Sequence, residues 1–350
     1  MDQQITQATG APEPAITAEL RLLAARAADY AAKSTGEGTR AAYNSAWRHY
    51  TAWCHQLGQD PLSGDPGLVA LYLARRADDG LAVSSIRVAR AAIAAAHRLA
   101  SQPLNLTDPR LAMVMEGIAR QTGLRPRRQA TPATPDRLRR LLDAITLAEV
   151  PTPQAVALAV RNRAMLLIGF AAALRRSELV ALDVADISAV DGKGLAITIR
   201  RSKTDQQGSG RTLAIRANPQ DLAFCPAAAW AAWLEIRRTA RDCTTATTQA
   251  PALPLFCSVS LDGMPTGREL CTKTVNRLIK QAAAKAGLDP EGFSGHSLRR
   301  GLLTAAAENQ VPLAELMRHS RHKSVATALS YIEPADLWRN NVTERVYRGG

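Results

Sequence analysis

Seven side chains in this 350-residue sequence are of kinds that act together on an anionic ester. In chain order they are Arg175 with Glu178 three residues on, Lys203, His296 and Arg299 in an H-x-x-R step, and His322 nine residues before Tyr331. Attack on a phosphodiester makes a pentacoordinate state whose charge lies on nonbridging oxygens, and fixed cations aimed at those oxygens lower the barrier. The planar fork of arginine grips two oxygens at once and stays protonated, which suits the task better than lysine. A phenol, with an ordinary pKa of about 10, attacks only when a base helps remove its proton. Histidine can take that proton, and a lysine on a flexible stem can deliver one to a leaving oxygen.

Taken singly, each has a plainer reading. An H-x-x-R step arises by chance in a chain this rich in arginine. ALRRSEL (173–179) reads equally as a helix start with an Arg–Glu pair on its surface, and Lys203 in IRRSKTD as a solvated turn lysine. Tyr331 in ALSYI reads as a core aromatic, and Tyr347 is a second tyrosine late in the chain. It is the joint order that singles the set out.

The elements that must position these residues divide at a break. GLRPRRQATPATP (123–135) interrupts every periodicity, carries three arginines and three prolines, and reads as an extended linker. Before it, residues 1–14 are polar with two prolines and read as a flexible arm. Residues 15–122 read as a helical domain of five helices, the first over 17–33. Thr39 is the expected cap of a helix with Tyr43, Trp47, Tyr50, Cys54 and Leu57 on one face, closed by Gly58. Asp65-Pro66 and Asp108-Pro109 open the next and the last, and Ser84 or Ser85 the fourth. In that fourth helix Ile86, Ala89, Ile93, Ala96 and Leu99 form the apolar face, with Arg87, Arg90, His97 and Arg98 off it. Residues 136–333 read as a mainly helical second domain with a β-hairpin, strands 195–199 and 212–215, and Lys203 just past the first strand. Helices are expected at 226–241, 271–286, 296–308 and 312–318, with a last one carrying Tyr331.

With 44 Lys+Arg against 31 Asp+Glu, the formal charge of +13 favours a polyanionic partner. Residues 1–129 carry an excess of +4 and residues 130–350 one of +9, so both halves suit a clamp around a duplex, with phosphate contacts supplying most of the affinity. The apolar run 164–174 falls short of the roughly 20 residues that span a bilayer. With no basic start and apolar core at the N-terminus, a cytoplasmic, nucleoid-associated protein without membrane contact is expected. The five cysteines form no C-x-x-C pair, so buried, reduced thiols are expected and a zinc site is not. No phosphate-binding G-x-x-x-x-G-K-[ST] loop and no acidic cluster for magnesium is present, so no cofactor and no metal is expected.

The ordered segments ALRRSELVALDVADI (173–187), IRRSKT (199–204), GHSLRRG (295–301) and LMRHSRHKSVATALSYI (316–332) resemble the tyrosine recombinase family, also called phage integrases. In the first half YTAWCHQL, GLAVSSIRVARAAIAAAHRL and DPRLAMVMEGIARQ look like the helical, SAM-like core-binding domain of its Cre-like branch. The resemblance implies a mainly α, two-domain fold whose second domain is α+β and catalytic. It implies that Tyr331 is the nucleophile, Arg175 and Arg299 the cations on the phosphate, His296 the proton acceptor and Lys203 the proton donor to the departing 5′ oxygen. His322 would hydrogen-bond the scissile phosphate, and Glu178 would orient the site. Cre-like members often have tryptophan where His322 stands.

The reaction so implied is site-specific cleavage and rejoining of double-stranded DNA through a 3′-phosphotyrosine bond, with strands exchanged via a Holliday junction. Arg87, Arg90 and Arg98 fall in a region that approaches the major groove in Cre-like proteins, and Arg201 lies near Lys203; these are the expected DNA contacts. Residues 334–350 are expected to pack on a neighbouring subunit of a homotetramer assembled on two DNA sites. Topoisomerase-like relaxation of supercoils and DNA binding without catalysis are the competing readings; the Cre-like first half argues against the former, and the complete residue set against the latter.

Overall fold

The computed structural model describes residues 36–123, 129–200, 210–238 and 253–336, together with residues 23, 26, 343, 346 and 347. The chain divides into two compact units, Met1–Arg127 and Arg128–Gly350.

In the first unit, α1 (Glu37–Gln56), α2 (Pro66–Asp78), α3 (Val83–Leu99) and α4 (Pro109–Thr122) pack as α1 on α3 and α2 on α4. Two starts follow directly from sequence. The Asp65 carboxylate accepts the amides of Gly67 at 2.8 Å and Leu68 at 3.3 Å, and Asp108 accepts that of Arg110 at 2.9 Å, each with proline at the first helical position. α1 instead begins two residues before Thr39, and α3 opens at Val83 without a side-chain cap. The core gathers Tyr50, Cys54, Leu68, Tyr72, Leu73, Ile86, Ile93 and Leu111, with Tyr50 edge-on to Tyr72 at 5.0 Å. On α3 the expected faces need correction at two positions. His97 is buried, because its Nδ1–H donates to the Ile93 carbonyl at 2.9 Å and so loses its polar claim on solvent, whereas Leu99 is exposed at the helix end. The helix expected over 17–33 lies outside the described residues, except that positions 23 and 26 are helical.

The second unit contains α5 (Pro135–Asp143), α6 (Pro153–Ala171), α7 (Arg176–Val180), α8 (Pro226–Arg238), α9 (Thr272–Lys285), α10 (Gly295–Glu308), α11 (Leu313–Ser320) and α12 (Val325–Asp336). By length and composition α6 could cross a membrane, since it extends the expected apolar run back to Pro153. Within the unit it is a core helix: every residue from Ala164 to Phe170 is buried, among Leu138, Leu141, Trp233, Ile279 and Leu298. The expected hairpin is part of a three-stranded antiparallel sheet, order β1 (Ile187–Val190), β2 (Gly194–Ile199), β3 (Arg211–Arg216), closed by Ile199 opposite Arg211. Leu195, Ile197 and Ile199 point into the core, the period-two signature read from sequence. The short β1 and a second pair, β4 (Cys257–Val259) with β5 (Pro265–Glu269), carry no such alternation and escape sequence reasoning. Lys203 and Arg201, in the segment joining β2 to β3, lie outside the described residues.

Residues 129–133 run along the start of α10, with the Thr131 amide on the Gly292 carbonyl at 2.7 Å and the Ala133 amide on Ser297 at 2.9 Å. A Cβ at Gly301 would overlap the Ala133 carbonyl, so the glycine ending GHSLRRG serves this close approach. Cys54, Cys225 and Cys257 are buried thiols; Cys271, at the solvent-facing start of α9, is exposed, against expectation, and Cys243 lies outside the described residues.

Candidate active site

The site is built on the carbonyls at the end of α6. A helix leaves its last carbonyls without amide partners and concentrates partial negative charge there. Here the chain turns through Ala173, at φ +47°, and the freed oxygens of Ala171, Ala172 and Ala173 face donors from α10 and α11. His319 Nε2 donates to Ala171 at 2.8 Å, Arg321 Nη1 to Ala172 at 3.1 Å, and Arg299 Nη1 to Ala173 at 2.7 Å. Burial lowers the His319 pKa, in keeping with a neutral imidazole in that position.

Arg175 is the N-cap residue of α7, and Glu178, three residues on, folds back to accept its amide at 2.9 Å and its Nη1 at 2.6 Å. The other partner of Glu178 is Arg321, whose Nη2 donates at 2.9 Å. Both ends of the Arg321–Glu178 pair are almost fully buried. Burial alone would raise the Glu178 carboxyl, but Arg321 and Arg175 together bring its pKa below the ordinary carboxylate range. One carboxylate thus pairs with two guanidinium groups, those of Arg175 and Arg321, and acts on the third, Arg299, only through its charge, so the cluster keeps an excess of positive charge.

Arg299 is buried, and its Nη2 reaches both the Ser320 carbonyl at 2.5 Å and His322 Nε2 at 3.0 Å. A guanidinium only donates, so Nε2 must accept. The proton therefore sits on Nδ1, which donates to Ser320 Oγ at 2.8 Å, and that hydroxyl donates to the Leu316 carbonyl at 2.7 Å. Burial first, and then Arg299, Arg175 and Arg321, push the His322 pKa down to about 4. Burial, and then the charges of Arg175 and Arg321, lower Arg299 to about 10, which leaves it charged at neutral pH.

A testable consequence concerns acid. Because His322 binds its proton less readily folded than unfolded, the unfolded chain holds more protons between pH ~6.5 and about 4, and stability falls as pH drops through that window. His322→Gln should flatten this slope in denaturant titrations repeated across that range; an unchanged slope would refute the assignment.

Tyr331, on α12, is half-buried against Leu303, Leu316 and Ala328, with its ring centroid 5.6 Å from that of His322. His296 stands exposed in the first turn of α10, one turn before Arg299, where the Ser294 side chain caps the helix. The structure therefore brings Arg175, Glu178, Arg299, His322 and Tyr331 into one cluster with His296 at its helical edge. Arg87, Arg90 and Arg98 belong to the first unit, where they line a concavity of about 400 Å³ with Tyr43 and His97. Arg87 and Arg98 are exposed, whereas Arg90 is half-buried with Nη2 on the Leu106 carbonyl at 2.9 Å.

Sequence reasoning missed Arg321 and Ser320. Arg321 has a left-handed backbone, φ +61°, at the end of α11, where glycine is the common choice. An arginine held there needs compensation, and Glu178 with the Ala172 and Ala173 carbonyls supplies it. The only sequence signal is the run HSRHK itself, in which nothing separates the buried Arg321 from the exposed Lys323 two residues on.

The sequence pattern of the phage integrase family matches residues 133–337. An integrase/recombinase described as a XerD homolog from Selenomonas ruminantium is 30% identical over 319 residues, spanning 90% of this chain and 87% of that protein. Recombinase Cre of Escherichia phage P1 is 26% identical over 307 residues, 83% of this chain and 82% of its own. Among solved structures, the Tn1549 transposon integrase in complex with transposon right end DNA superposes with a TM-score of 0.56 at 16% identity, over 87% of this chain and 94% of that one. The XerH site-specific recombinase bound to palindromic difH substrate gives 0.55 at 18% identity, over 79% and 72%. At these identities the superpositions speak for the fold alone.

Proposed function

Since the chain belongs to the phage integrase family of tyrosine recombinases, we propose that it cleaves and rejoins double-stranded DNA at a specific site through a 3′-phosphotyrosine bond on Tyr331, exchanging strands via a Holliday junction. The observation that carries this reading is the cationic excess beside Tyr331: two guanidinium groups pair with the one carboxylate, and a third, Arg299, is buried on backbone carbonyls and His322 with no carboxylate bonded to it.

In this reading the Tyr331 oxygen attacks phosphorus, a P–O(Tyr) bond forms and the P–O5′ bond breaks. His296 takes the phenolic proton, and Lys203 gives one to the departing 5′ oxygen. The energy of the broken ester is kept in the phosphotyrosine, and reversal by an incoming 5′ hydroxyl rejoins the strand. Arg175 presents its remaining edge to the phosphate, since among the described residues Glu178 is its one side-chain partner. His322, with Nε2 already on Arg299, acts on the phosphate by fixing that guanidinium. Arg87, Arg90, Arg98 and Arg201 contact DNA, residues 15–122 and 136–333 form the binding and catalytic domains, and residues 334–350 join protomers of a tetramer on two sites.

The test is a nicked suicide substrate built from DNA flanking the gene. A covalent adduct mapping to the Tyr331 peptide, together with recombinant product, supports the reading; no adduct at any flanking site overturns it. Arg299→Lys should lower single-turnover adduct formation by roughly 10²-fold, because an ammonium cannot span Ala173, Ser320 and His322 while facing a phosphate. Substrate titration should show little change in affinity; a rate within a few-fold of native would remove Arg299 from the mechanism.

A further inference from the structure

GHSLRRG carries two successive arginines, and the mechanism above uses only the first. The second, Arg300, is half-buried and points elsewhere. Its guanidinium carbon lies 5.5 Å from the centroid of the Tyr331 ring, within the distance at which a cation is attracted to an aromatic face. Its Nη1 donates to the side-chain oxygen of Gln129 at 3.0 Å. Gln129 is not a loose partner: two residues further on, Thr131 and then Ala133 are bonded to the backbone around the start of α10. The Arg300 Nε is buried with no acceptor among the described residues, so its pose is set by the ring and by Gln129 and not by saturation of its donors.

We propose that Arg300 is a positioning residue for the nucleophile: held by Gln129, its guanidinium fixes the Tyr331 ring beside His322. The proposal rests on Tyr331 being the attacking group, as argued above. The ring otherwise has one apolar side, against Leu303, Leu316 and Ala328, and the tilted His322 ring as its aromatic neighbour. Apolar packing is non-directional and would allow the ring to slide along α10; a cation attracted to its face, tied to a second anchor, restricts that movement. Attack on phosphorus requires the phenolic oxygen in line with the leaving oxygen, and small misplacements of a reacting atom cost rate steeply. Among the described residues, the charged groups facing the ring from the packed elements are Arg299 and Arg300 on α10, with the titratable but neutral His322 in the turn after α11.

Two readouts test this on the full chain. In DNA-free protein labelled with 3-fluorotyrosine, the Tyr331 resonance, assigned by its loss in Tyr331→Phe, should move toward the value of an exposed tyrosine in Arg300→Met. It should move part-way in Gln129→Ala and stay near native in Arg300→Lys. On the suicide substrate at saturating protein, Arg300→Met should slow adduct formation about threefold to thirtyfold, with Arg300→Lys recovering part of the loss and DNA affinity unchanged within twofold. An unmoved fluorine resonance in Arg300→Met overturns the proposal. So does a loss confined to DNA affinity and its salt dependence, the mark of a phosphate contact. If the native protein forms no adduct, the recombination reading fails while the fluorine spectrum still judges the contact between Arg300 and Tyr331.

Discussion

Tyr331→Phe should abolish the covalent DNA adduct, a fall of about 10⁴-fold or more, while leaving fold and DNA affinity as they are. The substitution removes one oxygen and keeps the ring that packs on Leu303, Leu316 and Ala328, so nothing in the small cluster between α10, α11 and α12 has to rearrange. The contacts to His322 and Arg300 are contacts of the ring, and phenylalanine preserves them. Denaturing gels after incubation with suicide substrate read the adduct, and gel shift reads binding. Tyr347, which is 80% exposed, is the control: Tyr347→Phe should form adduct at the native rate. An adduct persisting in Tyr331→Phe and vanishing in Tyr347→Phe would reverse the assignment.

Glu178→Ala should cost about 3–5 kcal/mol of stability in the second unit, the scale expected when one partner of a buried ion pair is removed and the other left uncompensated. Two guanidinium groups depend on this carboxylate, at 2.6 Å and 2.9 Å, and Arg321 has no other acid beside it among the described residues. The arginine amide that Glu178 caps would also be freed at the start of α7. Because the chain divides into two compact units, hydrogen exchange of peptides from α6 and α10 reports on the second one more directly than a global melt. Arg321→Met placed in the Glu178→Ala background should recover part of the loss, since it removes the stranded charge. Exchange in Glu178→Ala equal to native would show that the pair contributes little.

How far the site could be read from sequence follows from how each residue signals itself. Arg175, Glu178, His296, Arg299, His322 and Tyr331 could be picked out only through their joint order along the chain, since each alone has a plainer reading; the structure gathers Arg175, Glu178, Arg299, His322 and Tyr331 into one cluster. Capping aspartates at 65 and 108 made two helices of the first unit legible locally. Arg321 was not, because its meaning lies in a left-handed backbone angle and in a carboxylate far away in sequence, and neither leaves a local pattern. His97 was misplaced for a related reason: a histidine that gives its proton to a carbonyl in its own helix has the composition of a polar face and the burial of an apolar one. The short strands β1, β4 and β5 are held by pairing rather than by alternation.

The donors that fill the carbonyls after α6 have a bearing on when the protein becomes able to act. Arg299 reaches its Ala173 partner across 126 residues of chain, and His319 and Arg321 reach theirs across 148 and 149. Contacts of such long sequence separation close last, because the intervening loop entropy must be overcome first. On a ribosome, α6 and α7 emerge long before α11 and α12, so from the making of Ala173 until that of Arg299 and Arg321 the acceptors exist without their cations and Arg175 has only Glu178 for company. A nascent chain that ends before α10 lacks both the completed arginine cluster and Tyr331. Under the proposed mechanism, the order of the elements along the gene thus delays cutting competence until the segment that carries Tyr331 has been made.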